Sequence, residues 1–159
     1  MPFDSREFRD ALGCFATGVC VVTGCQAECE PFGITINSFA SVSLDPPLIL
    51  WSLQNDSEMF ATFEACNRWA VNILREGQEA LSGQYAQRGD HVLDDAHYES
   101  GAADMPVMPS TLVSFECELE SRYPGGDHVI LLGRVLEMTR REPGPPLLFS
   151  AGKYAEIAG

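Results

Sequence analysis

Between Thr35 and Ser43 the chain reads Thr-Ile-Asn-Ser-Phe-Ala-Ser-Val-Ser, which places five hydroxyl or amide side chains in nine residues. Apolar runs flank this stretch, Phe32-Gly33-Ile34 before it and Leu48-Ile49-Leu50-Trp51-Ser52-Leu53 after it. Small hydroxyls and a carboxamide beside backbone N–H groups suit a planar, acceptor-rich heterocycle or a phosphate. An ordinary polar turn between two strands has the same look. Two other places carry related chemistry. Ser57, after Asn55-Asp56, stands where a helix would begin, and such a hydroxyl serves either as a cap or as a phosphate ligand. His128 heads a strand directly after Gly125-Gly126-Asp127, and on its own it reads as a surface histidine at a strand end. The chain holds no GxGxxG, P-loop or HExxH motif, and so lacks the common nucleotide and zinc signatures.

The elements that must position these groups are mostly short strands. Asp4-Ser5-Arg6-Glu7 has the form of a capping box. Phe8, Ala11, Leu12 and Phe15 follow at helical spacing, with Gly18 as the expected helix end. Val19 to Thr23 is a β-branched strand, Gly24 to Pro31 a turn with Cys25 and Cys29 at its flanks, and Phe32 to Asn37 the antiparallel return. Pro46-Pro47 fixes the start of a strand through Leu53. Ser57 is expected to cap a helix through Phe60, Phe63 and Ala65. Trp69 to Leu74 is a strand and Gln78 to Gln87 a helix. Arg88 to Ser110 reads as a long irregular connection, functional or tied down by packing, in which His91 and His97 are expected to be solvated. Val113 to Tyr123 alternates, with Ser114, Glu116, Glu118 and Glu120 on a wet face. Its partner runs from His128 to Met138, where Gly133 signals a bulge or a close backbone approach. A last short strand, Leu147 to Phe149, precedes Ser150-Ala151-Gly152-Lys153-Tyr154. Many short strands with few helices and no βαβ rhythm predict a mainly β fold, an antiparallel barrel with peripheral helices, in a single domain spanning 1–159.

Composition narrows the partners. The 159 residues carry 10 Lys+Arg against 23 Asp+Glu, a formal net charge of −13. That argues against nucleic acid or an anionic membrane, both of which need a basic footprint. No run approaches the roughly 18 apolar residues of a membrane span. The first ten residues lack an apolar signal core, and the expected location is the cytoplasm. Cys14, Cys20, Cys25 and Cys29 are spaced by five, four and three residues with no CxxC and no paired His, so no metal site is expected. Cys14, Cys20, Cys66 and Cys117 read as small core residues, and the thiols are expected to be free in a reducing compartment.

In chain order, several pieces resemble the short-chain flavin reductases, the reductase components of two-component flavin monooxygenases, which share the FMN-binding split-barrel fold. They are Gly18 to Thr23, Gly33 to Leu48, Trp69 to Leu74, Leu81 to Ala86, Gly126-Asp127-His128 with Ile130 and Gly133 to Val135, Pro146 to Leu148, and Gly152 to Tyr154. The resemblance covers roughly residues 5 to 155. It implies a homodimer that binds FMN or FAD in a groove near the subunit interface. NADH or NADPH would be the hydride donor, and reduced flavin would pass to a flavin-dependent monooxygenase. It implies that Thr35, Asn37, Ser38, Ala40 and Ser41 line the flavin, that Ser52, Gln54 and Asn55 continue the wall, and that Ser57 takes the phosphate. Tyr85, Ala86 and Tyr154 would flank the flavin, and His128 would act beside the nicotinamide as the catalytic residue. Hydride transfer needs no protein nucleophile, which accords with the missing Ser/His/Asp constellation. In the family a Lys or Arg often precedes the phosphate Ser, with a Thr two residues after it; here those positions are Asp56 and Met59. A protein that keeps its FMN and reduces another acceptor, or a non-catalytic flavin binder, are the alternative readings.

Overall fold

The computed structural model describes residues 1–26 and 30–158. Three helices, α1 (Ser5–Leu12), α2 (Phe60–Glu64) and α3 (Glu79–Ala86), surround the strands. In chain order the strands are β1 (Thr17–Gly18), β2 (Cys20–Gly24), β3 (Phe32–Ile36), β4 (Ala40–Leu44), β5 (Pro47–Gln54), β6 (Arg68–Ile73), β7 (Glu99–Ser100), β8 (Pro106–Val107), β9 (Val113–Gly125), β10 (His128–Arg140), β11 (Leu148–Ser150) and β12 (Lys153–Ala155). Seven of them form one antiparallel sheet in the order β3-β2-β6-β9-β10-β5-β4. A second sheet, β1-β11-β12, and a small hairpin, β7-β8, lie outside it.

The seven-stranded sheet is rolled. Ser38, just past β3, and Ser52, on β5, are five strand spacings apart in sheet order, about 24 Å if the sheet were flat. Instead the Ser38 hydroxyl donates to the Ser52 carbonyl at 3.0 Å and accepts the Ser52 N–H at 2.9 Å. A side chain, rather than a backbone ladder, joins the seam. Inside the roll lies one apolar cluster drawn from β2, β3, β5, β6, β9 and β10. Trp51 of β5 and Trp69 of β6 meet there edge to face, with ring centroids 5.7 Å apart. Gly133 gives Trp69 its room, since a Cβ at 133 would collide with the Trp69 ring. The β9–β10 register also shifts at Leu132/Gly133. Both features expected of this glycine are therefore present.

Several sequence expectations need correction. Helix α1 is capped as expected, with the Glu7 N–H donating to Asp4 Oδ1 at 2.7 Å. It ends at Leu12 with Gly13 as its cap, however, because Thr17 and Gly18 are captured by pairing with Phe149 and Leu148. None of its residues is buried: Phe8 and Leu12 are 48% and 59% exposed, and Phe15, just past its end, is 79% exposed. Cys14 is exposed, while Cys20, Cys66 and Cys117 lie in the core. The expected wet face of β9 holds only at Glu118 and Glu120; Ser114 and Glu116 are buried. The Glu116 carboxylate accepts N–H groups from Ala103 and Met105, so the segment carrying β7 and β8 lies over this half of the strand. The turn expected between Cys25 and Cys29 falls partly outside the described residues, as does Cys29 itself.

The long connection after α3 is tied down by packing. His91 is buried rather than solvated, with Nδ1 3.1 Å from the Gly33 carbonyl and Nε2 2.7 Å from Glu58 Oε1. His97 accepts the Tyr85 hydroxyl at Nδ1, 2.7 Å away. Further along, Asn72 makes all four of its hydrogen bonds: Nδ2 donates to the Val21 carbonyl and Thr23 Oγ1, and Oδ1 accepts the Met108 N–H and the Ser114 hydroxyl. Arg141 adds to the cluster through Nη1, which donates to Ser114 and Thr111.

Candidate functional site

Beside the β3–β5 seam, where the polar stretch leaves β3, the surface opens into a groove. Its centre is a cavity of about 260 Å³ lined by Thr35, Asn37, Ser38, Ser52, Gln54, Ser57 and His128, with Ile34, Ile36 and Leu53. Thr35 and Asn37 also line a cavity of about 240 Å³ with Val19, Ser82, Ala86, Phe149 and Tyr154. Thr35, Gln54 and Ser57 continue into a third of about 250 Å³, with Asp56, Glu58, Ala86, Gln87, Arg88 and His91. Joined through Thr35, the three reach the size of an ordinary ligand site. A larger concavity, about 670 Å³, shares Asn37 and Phe149 with this groove; Leu12, Phe15 and Phe149 line it beside the exposed face of α1. That apolar lining suits a protein surface better than a polar cofactor.

Hydrogen-bonding capacity in the groove divides into spent and spare. Ser38 is spent on the seam, and Thr35 donates to the Ser82 carbonyl on α3 at 2.6 Å. Ser57 Oγ accepts the Met59 N–H at 3.2 Å, capping the turn ahead of α2 rather than the helix itself, whose cap residue is Met59. The side chains of Asn37, Gln54 and Ser52 have no partner among the described residues and face the central cavity. Donors and acceptors left open around a concave wall are what a ligand must satisfy.

His128 is aimed by its turn. Gly126 takes φ +70, which a glycine adopts without strain. Asn55 clamps the turn to the end of β5: its N–H donates to the Asp127 carbonyl at 2.9 Å and its side chain to the Gly126 carbonyl at 3.1 Å. His128 Nδ1 lies 2.6 Å from Asp127 Oδ1. Facing a carboxylate, Nδ1 carries the proton, which leaves Nε2 for the cavity. The hydrogen bond from His128, and then its charge, hold the Asp127 carboxyl below its ordinary value.

The structure thus brings together Thr35, Asn37, Ser38, Ser52, Gln54, Ser57, Ala86, His128 and Tyr154. Tyr154 reaches the groove from β12 and shares a hydrogen bond of 2.8 Å with the Ser82 hydroxyl. It does not bring in Tyr85, which is fully buried; its hydroxyl accepts the Asp94 N–H and donates to His97, and burial raises its pKa. Ala40 and Ser41 lie on exposed edge strand β4 and line none of the three cavities. Asn55 supports the histidine turn instead of the wall. Met59 is core, so its replacement of a polar residue is a packing choice. Sequence reasoning missed Ser82, Gln87 and Arg88. The run Leu81 to Ala86 pointed at α3, but nothing in the local pattern said which of its side chains face β3.

The donor set fits a flavin: neutral amides and hydroxyls along the centre for ring and ribityl polar atoms, apolar Ile34, Ile36 and Val19 for ring faces, and one guanidinium at the far end. Residues 12–158 match the flavin reductase like domain. The chain belongs to the flavin reductase family. Over 98% of its length it is 43% identical to FMN reductase (NADH) SmoA of Agrobacterium fabrum, covering 87% of that protein. It is 33% identical to HsaB, the reductase subunit of a flavin-dependent monooxygenase from Rhodococcus jostii, over 97% of this chain and 78% of that one. The NADH:FAD oxidoreductase SgcE6 of Streptomyces globisporus, solved with NAD and FAD fragments, superposes with a TM-score of 0.91 at 36% identity, covering 99% of this chain and 95% of the other.

Proposed function

We propose that this protein is an NADH-dependent flavin reductase whose reduced flavin serves a separate monooxygenase. The observation that carries the reading is the groove at the barrel seam, where spare amide and hydroxyl groups and the free nitrogen of His128 converge on a chain of this family. Bound flavin would accept a hydride from the nicotinamide, chemistry that needs no protein nucleophile. The protein's part is to bind, orient and shield. Asn37, Gln54 and Ser52 would hydrogen-bond the flavin, Thr35 and Ile36 would form the wall against it, and Ala86 and Tyr154 would close the side toward α3. His128, fixed by Asp127, would present Nε2 to the carboxamide of the nicotinamide and set the ring's approach.

The working unit is a homodimer of split barrels. Phe8, Leu12 and Phe15 on and after α1, with Val42 and Leu44 on β4, leave an apolar surface that a lone chain keeps in water. A second copy would cover it and wall the groove at Asn37. No helix among the described residues is long and apolar enough to cross a membrane. A cytoplasmic setting accords with the nicotinamide donor and with the thiols of Cys14, Cys20, Cys66 and Cys117, none of which is in a disulfide.

The test is NADH and NADPH oxidation by desalted protein with FMN, FAD or no flavin. Turnover that requires added flavin and saturates with it is the expected result. Turnover without added flavin would instead make the flavin a resident group serving another acceptor, and no turnover with either would overturn the reading.

A further inference from the structure

One end of the groove is charged. Asp56, Glu58, Arg88 and His91 line the cavity there, beside Ser57 and Gln87. The other two cavities hold neutral side chains apart from His128, and Arg88 is the only Lys or Arg in the three. A ligand carrying a phosphate would therefore direct it to this end. Glu58 is already engaged: it accepts the Gly89 N–H at 2.7 Å, and His91 Nε2 lies 2.7 Å away. Those two contacts, and then the positive charges of His91 and Arg88, hold its carboxyl below the ordinary value. Asp56 has no hydrogen-bond or ion-pair partner among the described residues and lies exposed on the same wall. A phosphate arriving here meets a guanidinium that Glu58 partly neutralises and a carboxylate that nothing neutralises.

We propose that Asp56 is a specificity-determining residue: it offsets the attraction a terminal phosphate would gain at Arg88, so that the site selects flavin by its ring and ribityl chain and binds riboflavin about as well as FMN. The inference rests on the flavin-groove reading above. A phosphate monoester carries close to two negative charges at neutral pH. One unit charge at about 4 Å in water changes affinity by about fivefold. The net charge of −13 adds a wider field of the same sign. Salt screens both contributions.

Equilibrium dissociation constants for riboflavin and FMN, from quenching of flavin fluorescence on desalted protein, test this with wild type and Asp56→Asn at low and high salt. The wild-type constants for the two flavins are expected to agree within about threefold at low salt. Asp56→Asn should tighten FMN relative to riboflavin by about fivefold. Added salt should tighten FMN in the wild type more than in the variant. Wild-type preference for FMN beyond about tenfold, or a variant that shifts both flavins equally, would overturn the proposal. Failure of both flavins to bind would overturn the groove reading itself.

Discussion

Two polar clusters in this molecule have nearly the same ingredients and opposite uses. Around Asn72, an amide, three hydroxyls (Thr23, Thr111 and Ser114) and one arginine are locked together; Asn72, Thr23, Thr111 and Ser114 are all buried, and all four bonds of the amide are made. Around Asn37, an amide, several hydroxyls and one histidine line an open wall, and the amide has no partner. Residue type does not separate them. Spare hydrogen-bonding capacity at an accessible surface does, because a closed buried network rigidifies the fold whereas open groups wait for a ligand.

Breaking the closed cluster should give the largest effect. Asn72→Leu leaves the Met108 N–H, the Val21 carbonyl and the Ser114 hydroxyl short of a partner in the interior. A loss of about 4 kcal/mol is expected from several unmade buried hydrogen bonds. A drop of roughly 10 °C in melting temperature by circular dichroism would register it. The equivalent change in the open cluster, Asn37→Leu, should leave the melting temperature within about 2 °C and weaken flavin binding instead. Equal destabilisation by both would erase the distinction.

Gly133→Val comes next. Its Cβ would collide with the Trp69 ring, and overpacking of this kind costs about 2 kcal/mol. Denaturant unfolding followed by tryptophan fluorescence should show the lost stability together with an altered native spectrum. His128→Ala should be nearly silent in stability but lower turnover about tenfold, the worth of one good hydrogen bond to substrate. Steady-state kinetics would separate that from flavin affinity, which should move less. An unchanged rate would return His128 to a surface role.

A further effect is set by pH. Burial pushes the Cys20 thiol up to about 12 from 9.0, and burial, then the neighbouring Glu116, does the same to Cys117. A raised folded pKa leaves stability intact below the unfolded value and erodes it as pH climbs from 9 toward 12, since only the unfolded chain releases those protons. Melting temperatures at pH 8 and pH 10 should therefore differ downward, and Cys20→Ala should reduce the difference.

Much of the barrel was legible because its signals are local. The β-branched run at Val19 to Thr23, the Gly-Gly-Asp turn and the alternation at the start of β9 each announce themselves within a few residues. The candidate wall was named through the family resemblance, because on local signals alone the Thr35 to Ser43 stretch has the look of a polar turn and His128 that of a surface histidine at a strand end. What escaped depends on distant segments. Glu116 looked wet because nothing near it says that residues 101–105 fold over it. His91 looked solvated because its partners, Gly33 and Glu58, lie 58 and 33 residues away. Tyr85 and Asn55 belong to the right neighbourhood, but whether a side chain faces a groove or supports it is decided by packing that periodicity does not encode.

The most direct measurement is two-dimensional amide NMR of the labelled protein during titration with FMN. Resonances of Thr35, Asn37, Ser38, Ser52, Gln54 and His128, including the Asn37 and Gln54 side-chain amides, should shift progressively and saturate. Those of Thr23, Asn72 and Ser114 should stay in place. Shifts confined to other surfaces, or spread equally over both clusters, would contradict the assignment of the open cluster as the flavin site.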